Sequence, residues 1–168
     1  MLEHWHEFYL LLGTAAAALV ALLFVAASIG AGLVSAERGS NTRTYMSPVV
    51  FHFTTVLFVS LIALVPSQTP LSIAVLIAAS GLVAGIYSIV ILIRVLKNRT
   101  IDLADRLGYG VTPVIGYAAA LFAAALFFIE SHRAPDVLAG AVLLLLIVNI
   151  RNAWDLTLFF AGKQNDPR

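Results

Sequence analysis

The stretch between residues 8 and 34 constrains the fold of this chain more than any other, because it contains no charged side chain. It reads FYLLLGTAAAALVALLFVAASIGAGLV, and a helix of about 20 apolar residues is long enough to cross the hydrocarbon core of a bilayer. A cleavable signal peptide has a basic start and a shorter apolar region, whereas this stretch follows Glu3 and Glu7. The stretch therefore predicts a membrane-spanning helix that is long enough to tilt.

Four more apolar stretches follow, at residues 48–66, 71–96, 111–129 and 137–161. Pro48 suits the first turn of a helix, and Pro66 marks the end of one. Apolar residues make up 61% of the chain and charged residues 11%, whereas a soluble domain is about 25% charged. With so few charges the chain cannot cover its own surface, so we predict an all-α, single-domain bundle of five transmembrane helices surrounded by lipid.

The positive charges predict how the bundle is oriented. Of the ten Lys and Arg residues, only Arg133 lies on the side of the N-terminus, together with the 67–70 turn and the 130–136 loop. Arg151 lies within the last apolar stretch, and the other eight lie on the opposite side, in residues 35–47, 94–110 and the C-terminal tail. The positive-inside rule then places the N-terminus outside and the C-terminus in the cytoplasm. If 137–161 were not a full span, the C-terminus would lie outside.

The connection between the third and fourth stretches, residues 97–110, reads KNRTIDLADRLGYG. Ile101, Ala104 and Leu107 have the spacing of one helical face. We expect a brief interfacial helix there, ended by Gly108.

Small residues recur every four positions in several of the apolar stretches. Gly81 and Gly85 form a GxxxG motif, and runs of small residues with the same spacing begin at Gly13 and Gly116. Helices in lipid associate through close backbone approach, which small residues permit. These glycines therefore predict helix packing, either between subunits of a homo-oligomer or within a single bundle.

The last apolar stretch contains an unusual polar segment, NIRNAWD, at residues 149–155. Asn149, Arg151, Asn152 and Asp155 fall within about half of the helix circumference, and Arg151 and Asp155 have the spacing of an intrahelical ion pair. We predict one charge-compensated unit in the inner half of the bundle, with both asparagines completing its hydrogen bonds. Loss of one charge would then cost about 3–5 kcal/mol. In the alternative, Arg151 extends to the membrane surface and Trp154 anchors the helix there.

Other stretches place polar side chains at a similar depth, namely His52, Tyr87 and Tyr117. Together with the polar residues of the last stretch they form a predicted intramembrane cluster. A single histidine in a helix is commonly a satisfied packing residue, and the alternative is a proton carrier. Because the polar groups concentrate towards the cytoplasmic side, we expect an inward-facing pocket with an apolar outer closure.

The outer side carries His4, His6 and His132, with Glu130 and Asp136 near the last of them in sequence. Imidazole and carboxylate groups suit zinc or copper. The spacing of these residues is not specific for a metal, and aromatic neighbours such as Trp5 suit an interfacial anchor. We therefore expect neither a metal nor a cofactor.

Several functional classes are excluded or disfavoured by the sequence. The chain has no cysteine, which excludes disulfides and thiolate chemistry. A net charge of +1 without a dense basic cluster does not favour nucleic acid as a partner. Because no metalloprotease, phosphate-loop or nucleophile motif is present, we do not expect an enzyme. Two hypotheses remain, a homo-oligomeric ion or proton channel (or related transport protein) and a non-transporting accessory or scaffold protein that binds a membrane partner.

Two segments carry a resemblance to known proteins. GTAAAALVALLFVA in the first stretch and RNAWDL in the last resemble small, mostly uncharacterised bacterial inner-membrane proteins with an RNAWDL motif in the last transmembrane helix. The resemblance implies a location in the bacterial plasma membrane and carries no established activity.

Overall fold

The computed structural model describes residues 2–31, 39–97 and 103–164, and this part of the chain is helical throughout apart from short turns. A 3-10 turn, Glu3–Trp5, leads into the first long helix. The long helices are α1 (His6–Ala31), α2 (Gly39–Leu64), α3 (Pro70–Lys97), α5 (Thr112–Phe128) and α6 (Ala134–Gln164). A short helix, α4 (Leu103–Asp105), and a π-helical segment, Arg106–Val111, precede α5. The predicted all-α fold class is thus confirmed.

Four helical segments are long and apolar enough to cross a membrane, namely His6–Ser28, Pro70–Lys97, Arg106–Phe128 and Ala134–Leu158. The apolar part of α2, Pro48–Leu64, is shorter. At 1.5 Å per residue it is about 25 Å long, less than the roughly 30 Å of a typical hydrocarbon core. The helix bundle is therefore that of a membrane protein, and four of its five long helices have the full length of a span.

Helix α2 begins earlier than the sequence predicts. It starts at Gly39 and contains Pro48 in its interior, so the prediction that Pro48 lies in the first turn is wrong. Proline lacks one N–H donor and clashes with the preceding turn, which disfavours but does not prohibit an interior position.

The connection before α5 also differs from the prediction. Gly108 does not end a helix, because α4, the Arg106–Val111 segment and α5 follow one another without a break. A glycine that ends a helix commonly adopts a positive φ, and no glycine in the described part of the chain does so. Gly108 instead permits close contact with α6, since a Cβ atom there would overlap Nη1 of Arg151. Of the predicted interfacial face, Ile101 lies outside the described residues.

The helices pack in a connected order. Helix α5 lies between α3 and α6, α1 packs on α2, and α2 packs on α6. The core contains the fully buried side chains of Tyr9, Phe53, Ile77, Phe127 and Leu138. Many large apolar side chains on the outer faces remain exposed, for example Leu22 and Phe24 on α1 and Val83 and Ile86 on α3. Such surfaces suit contact with lipid.

The GxxxG motif of α3 faces α5 of the same chain. A Cβ atom on Gly81 would lie 3.1 Å from Cδ2 of Leu121, and one on Gly85 would lie 3.7 Å from Cβ of Tyr117. The motif is therefore covered within the bundle, as the intramolecular interpretation of these glycines requires.

The other two predicted packing glycines also lie against their own chain. A Cβ atom on Gly13 would be 3.1 Å from Cβ of Ser60 on α2. One on Gly116 would be only 2.6 Å from Cδ2 of Leu145 on α6, which is too close for ordinary packing. Gly116 thus sets how closely α5 approaches α6.

Candidate functional site

The polar residues near the end of α6 point in different directions. Asn149 and Asn152 are buried in the bundle, with 0% and 1% of their surface exposed. The side chain of Arg151 is 41% exposed, and Trp154 is 62% exposed. Successive residues of a helix lie about 100° apart. This short segment therefore places some of its side chains in the interior of the bundle and others at its rim. The predicted single cluster is therefore divided in two.

The interior part is centred on a hydrogen bond between two helices. Nδ1 of His52 on α2 lies 2.7 Å from the hydroxyl oxygen of Tyr117 on α5, and both residues are only 1% exposed. Which of the two atoms donates depends on the tautomer of the imidazole. The other ring nitrogen, Nε2, is buried and has no hydrogen-bond partner among the described residues. A buried polar atom without a partner is unfavourable, so such an atom calls for an explanation.

Two aromatic side chains lie near the imidazole, and the ring of Phe51 is centred 6.0 Å from it. The rings of Phe51 and Tyr87 lie 4.6 Å apart, and the ring of Tyr87 lies 6.3 Å from that of His52. Tyr87 thus belongs to the surroundings of His52 through ring contact, at a separation typical of aromatic pairs.

Asn149 lies at the depth of His52. Its Nδ2 donates to the carbonyl oxygen of Leu145 at 2.8 Å, and its Oδ1 has no partner among the described residues. Thr55, Leu145 and Tyr117 line one small void. His52 and Asn149 lie about one turn from Thr55 and Leu145, on the packed helices α2 and α6 and towards the same end of the bundle. We call His52, Tyr117 and Asn149 the interior group.

The rim part consists of one cation and two carboxylates. Nη2 of Arg151 lies 3.5 Å from Oδ2 of Asp155 and 3.6 Å from Oδ1 of Asp105. The three side chains are between 36% and 49% exposed. We call these three residues the rim cluster. The ion pairs thus lie on the surface of the bundle and not in its interior, and the cost of about 3–5 kcal/mol for removing one charge stays a prediction that applies to a buried pair.

Asn152 joins α6 to the π-helical segment instead of to the ion pair. Its Nδ2 donates to the carbonyl oxygen of Gly108 at 3.0 Å. The hydroxyl of Tyr109 donates to the carbonyl oxygen of Asn152 at 2.9 Å. The expectation that both asparagines complete the hydrogen bonds of Arg151 and Asp155 is therefore wrong for their amide nitrogens, which bind main-chain carbonyls. Sequence reasoning missed Asp105 and Tyr109, although both lie in the polar connection that it singled out.

A cavity of about 350 Å³ opens at the opposite end of the bundle from the rim cluster. We call it the Pro66 cavity. It lies between the start of α1, the end of α2, the start of α3 and the end of α5. Most of the side chains that line it are apolar, and His6 and Gln68 are the polar ones. The distribution of positive charges predicts that this end is the outer one. The sequence led us to expect a pocket at the inner end, so this cavity was not foreseen.

The small void, which we call the Tyr117 void, lies deeper in the bundle. Its volume of about 10 Å³ is roughly what one water molecule needs. Helices α2, α3, α5 and α6 all border it, and its surface is apolar although Thr55, Ser80 and Tyr117 are among the residues around it. The hydroxyls of Thr55 and Ser80 donate to carbonyl oxygens of their own helices.

The three outer histidines are not brought together into one site. His6 lines the Pro66 cavity, His4 lies in the 3-10 turn before α1, and His132 lies exposed in the turn between α5 and α6. Within residues 2–31, 39–97 and 103–164, no three His, Asp or Glu side chains are grouped as metal ligands would be.

No protein-family model matches the chain, and no curated protein or solved structure is significantly similar to it. The resemblance to proteins with an RNAWDL motif stays an expectation. The function must therefore be inferred from the chemistry of the residues described above.

Proposed function

We propose that this chain is a proton-handling protein of the bacterial plasma membrane, related to channels or transporters and working as a homo-oligomer. The observation that supports this proposal is the buried imidazole of His52, hydrogen-bonded through Nδ1 to Tyr117 while Nε2 has no partner among the described residues. An ionisable residue at membrane depth is costly and commonly marks a path for protons or ions.

The interior group has the atoms needed to pass a proton. Histidine is the side chain that most readily takes up and releases protons near neutral pH. A proton that binds at Nε2 allows Nδ1 to release its own proton to the oxygen of Tyr117, which in the same step passes its hydroxyl proton to a water molecule. Oδ1 of Asn149, which also has no partner among the described residues, can accept a hydrogen bond from water.

The experiment is a flux assay with the purified chain in liposomes. A pH-sensitive dye inside the vesicles reports proton entry under an imposed pH gradient. We expect wild-type vesicles to acidify faster than empty ones, and His52→Gln to remove the difference. His132→Gln is the matched control, because the same side chain is changed in an exposed turn. Absence of flux in the wild type, or equal flux in both variants, would overturn the proposal.

The proposal includes five spans with the N-terminus outside and the C-terminus in the cytoplasm. It rests on the positive charges and on the five long helices, of which α2 has the shortest apolar part. Reporter fusions at residue 168 and within residues 131–134 should report opposite sides of the membrane. A C-terminal fusion that is active in the periplasm would contradict this orientation.

A second candidate is an accessory or scaffold protein that binds a membrane partner without transporting anything. The extensive apolar exposure of α1, which includes Leu11, Leu22 and Phe24, favours it because such a face suits another membrane helix as well as lipid. A folded wild-type chain without flux would support this candidate. Native mass spectrometry would then show whether the chain associates with itself.

A further inference from the structure

The Pro66 cavity is a feature of the bundle that the proposed proton handling does not use. Its volume of about 350 Å³ lies at the lower end of the range for small-molecule sites, roughly 300–1,000 Å³. An apolar cavity of about 150 Å³ is already large enough to hold benzene. The Pro66 cavity therefore has room for an aromatic ring with a short alkyl chain.

The most buried side chains around the cavity are apolar. Phe127 on α5 is fully buried, and Ile73 on α3 is 5% exposed. Leu2, which precedes α1, and the two prolines near the turn between α2 and α3, Pro66 and Pro70, add further apolar surface. Transfer of an apolar group from water onto such a surface is favourable.

The cavity also borders the carboxyl-terminal end of α2. Ala63 and Leu64, the last two residues of this helix, both line it. No main-chain N–H of the described residues binds their carbonyl oxygens, because Pro66 has no N–H and that of Val65 binds the carbonyl oxygen of Ile62. Carbonyl oxygens left free at the end of a helix are bound by side chains, by water or by a ligand.

A third acceptor lies in the turn after α2. Gln68 lines the cavity, and its side-chain oxygen accepts the hydroxyl of Ser72 while keeping a second lone pair. Acceptors of this kind favour a ligand that carries N–H donors. The carboxyl-terminal end of a helix also carries a partial negative charge, which favours a cation.

The charged residues at this end of the bundle point to the same kind of ligand. The segments that lead into α1 and α6 contain four carboxylate side chains, Glu3, Glu7, Glu130 and Asp136, and one arginine, Arg133. An excess of negative charge attracts cations and repels anions.

We propose that the Pro66 cavity binds a small organic amine in its protonated form. The ammonium group donates to the carbonyl oxygens at the end of α2, and the apolar body of the amine packs on Ile73 and Phe127. The cavity shares no lining residue with the interior group, so this site does not depend on the proposed function.

The test is a binding titration with three probes that share one ring and one alkyl chain. Phenylbutylamine carries an ammonium group, phenylbutanol a neutral hydroxyl and phenylbutanoate a carboxylate. With Trp154→Phe the purified chain keeps Trp5 as its only tryptophan. Trp5 lies in the chain between Leu2 and His6, which both line the cavity, so its fluorescence reports occupation.

We expect phenylbutylamine to bind about tenfold more tightly than phenylbutanol, because a hydrogen bond from a charged group is stronger than one from a neutral group. Phenylbutanoate should bind most weakly, since it offers no donor and carries the wrong charge.

Two pairs of variants make the result specific. Ala63→Phe fills the cavity and should remove saturable binding, whereas Ala18→Phe adds the same ring on the exposed face of α1 and should not. Gln68→Leu should reduce the preference for phenylbutylamine over phenylbutanol. Gln164→Leu, the same substitution at the other end of the bundle, should leave it unchanged.

Equal affinities for phenylbutylamine and phenylbutanol would overturn the proposal, and so would tightest binding of phenylbutanoate. Saturable binding that persists in Ala63→Phe would place the amine elsewhere and overturn it as well. If Ala63→Phe does not fold, the comparison of Gln68→Leu with Gln164→Leu decides. The titration needs no transport, so a wild type without proton flux would refute the proposed function and leave this test unaffected.

Discussion

The interior group and the rim cluster both include residues of the same short segment of α6, yet they are built in opposite ways. The interior group is formed by side chains without a formal charge in the neutral imidazole state, and none is more than 1% exposed. The rim cluster contains three charged groups that are more than a third exposed. This division follows from solvation, because burial of a neutral polar group is far less costly than burial of a charge. The charges of NIRNAWD therefore stay at the edge while its two asparagines enter the bundle.

The largest effect should come from overfilling the interior. Gly116→Leu must displace Leu145, whose Cδ2 and Cγ would lie 2.6 and 2.7 Å from the new Cβ. We expect the free energy of unfolding to fall by about 3 kcal/mol, measured by thermal melts in one detergent. Gly140→Leu is the matched control, since nothing lies within 4 Å of its Cβ position. Similar melting temperatures for both variants would mean that α5 and α6 are not closely packed at Gly116.

An intermediate effect is expected from the hydrogen bond of the interior group. Tyr117→Phe leaves Nδ1 of His52 without its partner in a buried place, which should cost about 1–3 kcal/mol. Tyr87→Phe removes the same atom from a partly exposed ring and should cost clearly less. If the two variants have the same melting temperature, the hydrogen bond between His52 and Tyr117 contributes little to stability. Adding His52→Leu to Tyr117→Phe should recover part of the loss.

The smallest effect is expected at the rim cluster. Arg151→Ala should lower the free energy of unfolding by less than about 1 kcal/mol, because exposed ion pairs are weak. Double-mutant cycles with Asp105→Ala and with Asp155→Ala measure each coupling separately. We expect both couplings to shrink further as salt is added, since salt screens exposed charges. A loss of several kcal/mol, unaffected by salt, would instead indicate a charge held in a low-dielectric interior.

Much of the architecture could be predicted from the order of apolar and polar residues. Five apolar stretches predicted the five long helices, and the short apolar part of α2 is visible in the sequence itself. The glycine spacing predicted close packing, but not which helix each glycine would meet. The sequence did not predict that α2 continues through Pro48, nor that a π-helical segment precedes α5. Local sequence preferences disfavour both backbone conformations, so each depends on stabilisation by neighbouring helices.

The contacts within the candidate site could not be predicted from the sequence, for a different reason. His52 and Tyr117 are 65 residues apart, and Asn152 is 44 residues from its partner Gly108. Such pairs depend on how each helix is rotated about its axis. In a soluble protein an apolar stripe indicates that rotation, whereas a helix such as α5 is apolar around nearly all of its circumference.

The sequence by itself thus determined that the chain forms membrane-compatible helices and at which positions along them the polar side chains lie, because hydrophobicity and length are local properties. The tertiary structure decided which polar groups face one another, that Arg151 pairs with Asp105 as well as Asp155, and that a cavity opens beside Pro66. These features follow from helix rotation and close packing, which depend on the shapes of all contacting side chains together.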